Sequence, residues 1–210
     1  MVSTPKGPPD DRGSFTRRAF LKGGAAGAVT SGLLADGIVG PEAAAASRDV
    51  VGPGPCPIAL RINGKVHTLE LEPRVTLLEA LRHELELTGA KNVCDRGTCG
   101  ACTVLFEGAP VYACSVLAID AQGREITTIE GLGTPDDMSA VQRAFVENDA
   151  QQCGFCTPGF VVACHAFLDR HPDPTREEID AGLGGNLCRC GTYVGIREAV
   201  LQAAKEVRRG

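Results

Sequence analysis

The sequence predicts an α+β chain, a strand-rich unit followed by an all-helical one, and three observations predict it. Between Ile58 and Leu71 the apolar residues alternate with period two, as half-buried strands require. Beyond Gly131-Leu132-Gly133-Thr134-Pro135 the apolar period becomes helical, which separates a unit over 58–131 from a unit over 135–208. Eight of the ten cysteines fall in two tight groups, one in each unit, so each unit is expected to carry its own thiol-rich site. With 210 residues, 43% hydrophobic and 22% charged, the chain suffices for one medium domain or two small ones with real cores. Its net charge is −5, tryptophan is absent and aromatics are 4%. It therefore lacks the basic field and stacking side chains that nucleic-acid binding draws on, and no nucleic acid is expected as partner.

The chain opens with a polar, proline-containing stretch over 1–15 that has no hydrophobic period and is expected to be disordered. Thr16-Arg17-Arg18-Ala19-Phe20-Leu21-Lys22 then introduces a Gly/Ala-rich apolar segment to Gly40, followed by Pro41-Glu42 and the small-residue run Ala43–Ala46. Paired arginine, weakly apolar centre and small-residue cleavage site predict a cleaved twin-arginine signal peptide over 1–46, hence a periplasmic protein exported by the twin-arginine (Tat) machinery. The alternative is a membrane anchor. Only 13 uncharged residues, four of them glycine, separate Lys22 from Asp36, against the roughly 17–25 that a span needs, so no stable membrane span is expected. Residues 47–57, with Pro53, Pro55 and Pro57, read as a linker. In an oxidising periplasm free thiols tend to pair as disulfides; thiolates already bound to metal before export are shielded from that.

In the first unit a strand from Ile58 to Asn63, an Asn63-Gly64 turn of type I′ and a strand from Val66 to Leu71 form a hairpin. Thr76-Leu77-Leu78-Glu79 is a capping box opening a helix to about Leu87, stopped by Gly89. A hairpin followed by a helix suggests a β-grasp fold. Further strands are expected at Thr103–Phe106, Val111–Ala113 and Glu125–Ile129, with a turn at Glu107-Gly108. Cys94, Cys99 and Cys102 stand in the loop after the helix and Cys114 follows; gaps of four and two with a distant fourth thiol match the plant-type [2Fe–2S] ligand pattern. The loop must curl around large anionic sulfurs and turn its N–H groups inward, which Gly97 and Gly100 allow. Zinc and disulfides are the weaker alternatives, since structural zinc more often uses two CxxC-like hooks.

In the second unit helices are expected over Met138–Glu147, from an N-cap at Thr157 with Pro158 at the first helical position through Gly159–Leu168, after the capping box Thr175-Arg176-Glu177-Glu178, and from a cap at Thr192 to about Arg208. Four helices make a compact bundle. Cys153-Gly154-Phe155-Cys156 precedes the second helix and Cys188-Arg189-Cys190 precedes the fourth. Both pairs thus sit at helix N-termini, where the dipole and free N–H groups favour thiolate and an anionic cluster. The one-residue gap of Cys188-Arg189-Cys190 is unusual for zinc, so iron–sulfur is favoured, with zinc left open by spacing alone.

Cys94–Val104 (CDRGTCGACTV), Gln152–Gly159 (QCGFCTPG) and Gly185–Tyr193 (GNLCRCGTY) closely resemble, in this order, the signatures of the iron–sulfur subunit of the xanthine oxidase family of molybdenum hydroxylases. The resemblance covers about 56–208, and the leader makes it most similar to the periplasmic aldehyde oxidoreductase type. It implies a plant-type ferredoxin domain followed by a helical [2Fe–2S] domain. It also implies two [2Fe–2S] clusters, one on Cys153, Cys156, Cys188 and Cys190 next to the pterin of a large molybdenum cofactor subunit, the other on Cys94, Cys99, Cys102 and Cys114 farther away. Gln152 and Cys190 match family positions near the molybdopterin. Electrons would run from the first cluster to the second and on to FAD in a further subunit, or to a cytochrome if the chain is of the isoquinoline oxidoreductase type. Substrate chemistry belongs to the large partner, so no catalytic residue is assigned here. The competing classes are a freestanding ferredoxin-type carrier and a zinc-stabilised binding module.

Other residues receive plainer expectations. Cys164, in an apolar helix, is a packed core thiol. Cys56 is a free surface or interface cysteine. Arg96 and Arg189 are solvated, interface or tuning cations, and the four histidines lack ligand spacing. Val200, Ala203, Ala204 and Val207 form a helix packing stripe.

Overall fold

The computed structural model describes residues 51–208; the expected signal peptide and the start of the linker lie outside them. β1 (Cys56–Ile62) and β2 (Lys65–Leu71) pair antiparallel from Cys56↔Leu71 to Ile62↔Lys65. Asn63 and Gly64 turn between them with φ of 50° and 75°, as a type I′ turn requires. β1 thus begins two residues inside the expected linker, because Cys56 and Pro57 still find partners across the hairpin.

Helix α1 starts at Leu77 behind the expected cap: Thr76 Oγ1 accepts from the Glu79 N–H at 3.2 Å, and the Glu79 carboxylate accepts from the Thr76 N–H at 2.9 Å. It is shorter than expected. α-Helical turns cover only Leu77–Glu79, a π turn follows over Ala80–Glu84, and Glu86 takes φ of 56°. The Arg82 guanidinium gathers the carbonyls of Thr88 and Ala90 at 2.9 and 2.8 Å, holding the chain reversed where further helix would have carried it away from the sheet.

β3 (Thr103–Phe106) and β4 (Ala109–Tyr112) form a second hairpin, and β5 (Glu125–Thr127) fills the gap between the two. The sheet order is β2-β1-β5-β3-β4, with β5 parallel to β1 and antiparallel to β3. This is the mixed sheet of a β-grasp fold. β4 ends at Tyr112 rather than Ala113 and β5 at Thr127 rather than Ile129, because short 3₁₀ turns take over at Ala113–Ser115 and Ile129–Gly131. Ile58, Leu60, Ile62, Leu77, Leu81, Val104 and Ile126 close the core between sheet and α1.

Four helices complete the chain: α2 (Ala140–Glu147), α3 (Thr157–Arg170), α4 (Arg176–Gly182) and α5 (Tyr193–Val207). Ser139 and Gln142 form a capping box on α2, and Thr175 and Glu178 another on α4. α3 begins one residue earlier than expected, with Cys156 as N-cap and Pro158 one position farther in. Val141, Phe145, Phe160, Phe167, Ile179, Ile196 and Val200 build the helical core. Cys164 is wholly buried in it. Val207 is not: it is 55% exposed, so the packing stripe on α5 ends at Ala204. α3 also lays Val162 and Ala166 on Leu105 of β3, joining the two cores. Among the described residues no helix is long and apolar enough to cross a membrane.

Candidate metal centres

The first cysteine loop runs from the Ala90 region into β3. Asp95, Gly97 and Gly100 all have positive φ, 53°, 67° and 70°, so the backbone curls in the left-handed sense and its N–H groups turn inward. Two of them reach sulfur: Gly97 N–H donates to Cys114 Sγ at 3.3 Å and Thr98 N–H to Cys94 Sγ at 3.4 Å. A methyl group on Gly97 would lie 2.7 Å from Ser115 Oγ, so the loop lies flush against the turn that carries Cys114. The Thr98 hydroxyl, with N–H groups of the loop, pulls the Cys94 thiol down to about 6, whereas burial holds Cys102 up to about 12. Cys94 also engages Cys99, and Cys102 engages Cys114. Cys99 acts on Cys102 as well, so the four thiols stand near one another about one loop.

In the second set two helix starts bring Cys156 and Cys188 together, with Cys153 near Cys156, while Cys190 contacts none of the three. Cys156 caps α3 and Cys188 lies one turn before α5. Burial and the hydrogen bond to Cys188 push Cys156 up to about 12. Burial alone would raise Cys188 too, yet the Thr192 hydroxyl and N–H, Cys156 and the Gly191 N–H take it down to about 7. The hydrogen-bond donors around this pair thus gather on Cys188. Thr192 was expected to cap α5 with its side chain. Instead its hydroxyl sits 3.1 Å from Cys188 Sγ and makes no cap bond, because Thr192 has φ −74° and ψ 20° rather than the extended backbone from which an N-cap side chain reaches the helix N–H groups. The Cys188 N–H donates to the Tyr193 hydroxyl at 2.9 Å, and the Tyr193 ring meets Phe160 edge-on. Cys153 and Cys190 are exposed, as are Gln152, Arg189 and the apolar Phe155, Leu187 and Val194.

None of the ten cysteines forms a disulfide. Among the described residues no three His, Cys, Asp or Glu side chains are grouped so as to hold a single metal ion. Paired thiols facing sulfur-directed N–H groups fit a cluster with its own bridging sulfides better than one tetrahedral zinc. Cys56, expected at the surface or an interface, is half-buried against the sheet core with its thiol aimed at the Leu71 carbonyl at 3.6 Å. Arg96 folds back on the Cys94 carbonyl at 3.1 Å.

A cleft of about 530 Å³ lies between Gly89, Ile129, Phe145 and Pro158. Several of its polar groups are already engaged: Glu130 with Gly89 N–H and the Thr128 hydroxyl, Gln142 in the α2 cap, Lys91 on the Thr88 carbonyl; the buried Thr157 hydroxyl on its wall has no partner. It offers no paired nucleophile and base. Sequence reasoning did not single out Thr98, Asn186, Thr192 or Tyr193 as partners of the cysteine loops. All four lie within the quoted motifs or one residue from a thiol, and that adjacency was the available signal.

Two domain families match the chain, the 2Fe-2S iron-sulfur cluster binding domain over 60–126 and the [2Fe-2S] binding domain over 128–201. Fold and matches together make this an iron–sulfur protein of the electron-transferring class. The aldehyde oxidoreductase iron-sulfur-binding subunit PaoA of Escherichia coli K12 is 42% identical over 93% of this chain and 90% of its own. The nicotinate dehydrogenase small FeS subunit of Eubacterium barkeri is 45% identical over 70% of this chain and 94% of its own. Among solved structures, quinoline 2-oxidoreductase from Pseudomonas putida 86 superposes with a TM-score of 0.71 at 41% identity, covering 75% of this chain and 98% of that one. Aldehyde oxidoreductase from Desulfovibrio desulfuricans gives 0.70 at 39%, covering 73% of this chain but 17% of that one. The chain belongs to the iron–sulfur subunits of the xanthine oxidase family of molybdenum hydroxylases.

Proposed function

We propose that this chain is the electron-transfer subunit of an exported aldehyde oxidoreductase, carrying electrons from the molybdenum cofactor of a large partner subunit to FAD in a third subunit or to another acceptor. Cys94, Cys99, Cys102 and Cys114 hold one [2Fe–2S] cluster and Cys153, Cys156, Cys188 and Cys190 the other. The observation that carries the reading is the direction of backbone N–H and hydroxyl groups at cysteine sulfur in both cysteine groups. A [2Fe–2S] cluster held this way takes up or releases one electron at a time. The residues around it supply the rest: the loop N–H groups and the Thr192 hydroxyl disperse charge on sulfur, and burial of Cys102 and Cys188 excludes water.

The exposed Cys153, Cys190 and Gln152, rimmed by Phe155, Leu187 and Val194, form the face toward the molybdopterin subunit, with Gln152 donating a hydrogen bond to the pterin. The aldehyde reading is favoured over an N-heteroaromatic one by coverage. The similarity to the E. coli aldehyde oxidoreductase subunit spans 93% of the chain, more than the described 158 residues can account for, so it reaches into the segment with Arg17-Arg18. The nicotinate dehydrogenase match stops at 70%. Periplasmic location follows from that leader. The test is to fractionate cells expressing the chain with its partners, native or with Arg17→Lys and Arg18→Lys. Export with a mature N-terminus after the Ala43–Ala46 run supports the reading, and unchanged export of the double variant overturns it. Aldehyde turnover by the purified complex, absent with N-heteroaromatics, separates the two substrate classes.

A further inference from the structure

The two cysteine loops meet in the interior. Asn186, two residues before Cys188, is only 6% exposed, and its amide crosses to the other loop. Nδ2 donates to the Gly100 carbonyl at 2.9 Å and to the Thr103 hydroxyl at 3.2 Å. The Thr103 hydroxyl donates to the same carbonyl at 2.6 Å. One residue on, the Leu187 N–H donates to the Cys99 carbonyl at 2.9 Å. Cys99 of the first thiol set and Cys188 of the second are thus linked by a single hydrogen bond and the backbone of adjacent residues.

The junction has no slack. A methyl group on Gly100 would lie 2.6 Å from the Asn186 amide, and one on Gly159 would lie 2.4 Å from the Gly100 carbonyl oxygen. Tyr112 adds a hydroxyl bond to the Gly185 carbonyl at 2.9 Å. A buried asparagine that merely satisfied itself could bond within its own turn; this one spends its amide hydrogens on residues 83 and 86 positions away. Neither Asn186 nor Thr103 is a thiol or reaches one in the structure's hydrogen bonds.

We propose that Asn186 is a positioning residue for electron transfer between the two sites: its amide locks the second cysteine loop onto the first and thereby holds the Cys99–Leu187 bridge between the thiol sets. The inference rests on the two-cluster reading above. No bond is made and no proton moves; one electron lost by a cluster held at the second thiol set would be gained by the one held at the first.

The test compares the intact complex carrying wild-type chain, Asn186→Ala or Thr103→Val, the last keeping the shape of β3 while removing one acceptor and one donor. Iron and sulfide content, the paramagnetic resonance of the fully reduced protein and hydrogen exchange at the Leu187 amide are read together. Both variants should retain wild-type iron. The magnetic splitting between the two signals should shrink, more for Asn186→Ala, and the Leu187 amide should exchange about tenfold faster in that variant, equivalent to ~1.4 kcal/mol. Unchanged splitting in iron-replete Asn186→Ala overturns the proposal. Should that variant lose iron, unchanged splitting in Thr103→Val overturns it instead. A wild-type complex with only one iron–sulfur signal sinks the two-cluster reading, an outcome distinct from either.

Discussion

Gly159→Ala should destabilise the protein, although helix propensity alone predicts the reverse. Gly159 is the third residue of α3, and alanine in a helix interior is favoured over glycine by about 1 kcal/mol. The added methyl would lie 2.4 Å from the Gly100 carbonyl oxygen and 3.1 Å from the Ala101 backbone. These are backbone atoms of a loop pinned by three donors on one carbonyl, from Asn186, the Thr103 hydroxyl and the Thr103 N–H, so they cannot rotate aside. Overpacking costs about 1–3 kcal/mol, and against backbone that cannot yield the upper part of that range applies, about 2–3 kcal/mol, so the net after the propensity gain is a loss of about 1–2 kcal/mol. At this size each kcal/mol is worth roughly 2–4 °C, giving a fall of about 2–8 °C in apparent Tm. Scanning calorimetry of iron-replete protein at one scan rate reads it, with Gly184→Ala as control. There the new methyl would make only ordinary contacts at 3.5 and 3.6 Å, and the change should stay within about 0.5 kcal/mol. An unchanged or raised Tm for Gly159→Ala refutes the close approach of α3 to the cysteine loop.

Thr192→Val removes the hydroxyl 3.1 Å from Cys188 Sγ. Losing a bond of about 1 kcal/mol to an anionic sulfur should lower one cluster potential by roughly 40 mV and leave the other unmoved, at 59 mV per tenfold for one electron; redox titration checks this. Cys190→Ser should halve the iron content and stop turnover with acceptors beyond the helical unit, and wild-type rates would contradict the assigned route. In chelator-stripped protein the Cys94 thiol is held down near 6 chiefly by the Thr98 hydroxyl. Because a lowered pKa keeps the thiolate present as pH falls, iodoacetamide should label Cys94 half-maximally near pH 6, and Thr98→Val should move that midpoint up toward the ordinary ~8.5. A wild-type midpoint already at the ordinary value counts against the loop geometry.

Local chemistry made much of the fold legible. Asn63-Gly64 announced its hairpin, Thr76 and Thr175 their helix starts, and the two cysteine groups announced loops that the structure does place at a curled turn and at two helix N-termini. What stayed hidden depends on partners distant in sequence. The insertion of β5 beside both β1 and β3 is a long-range pairing. The π turn after Glu79 follows from Arg82 reaching carbonyls six and eight residues ahead. Thr192 has the side chain of a helix cap, and only the proximity of Cys188 turns it to a sulfur. Asn186 looks like an ordinary turn residue until Gly100 is found beneath it.

The central claim is that eight thiols in two loops hold two separate diiron sites. Mössbauer and paramagnetic resonance spectra of the intact complex, isolated without oxygen and reduced stepwise, test it most directly. About four iron per chain in two distinguishable [2Fe–2S] species, appearing at different potentials, is the predicted result. Zinc in place of iron, or a single species at full iron occupancy, would contradict it.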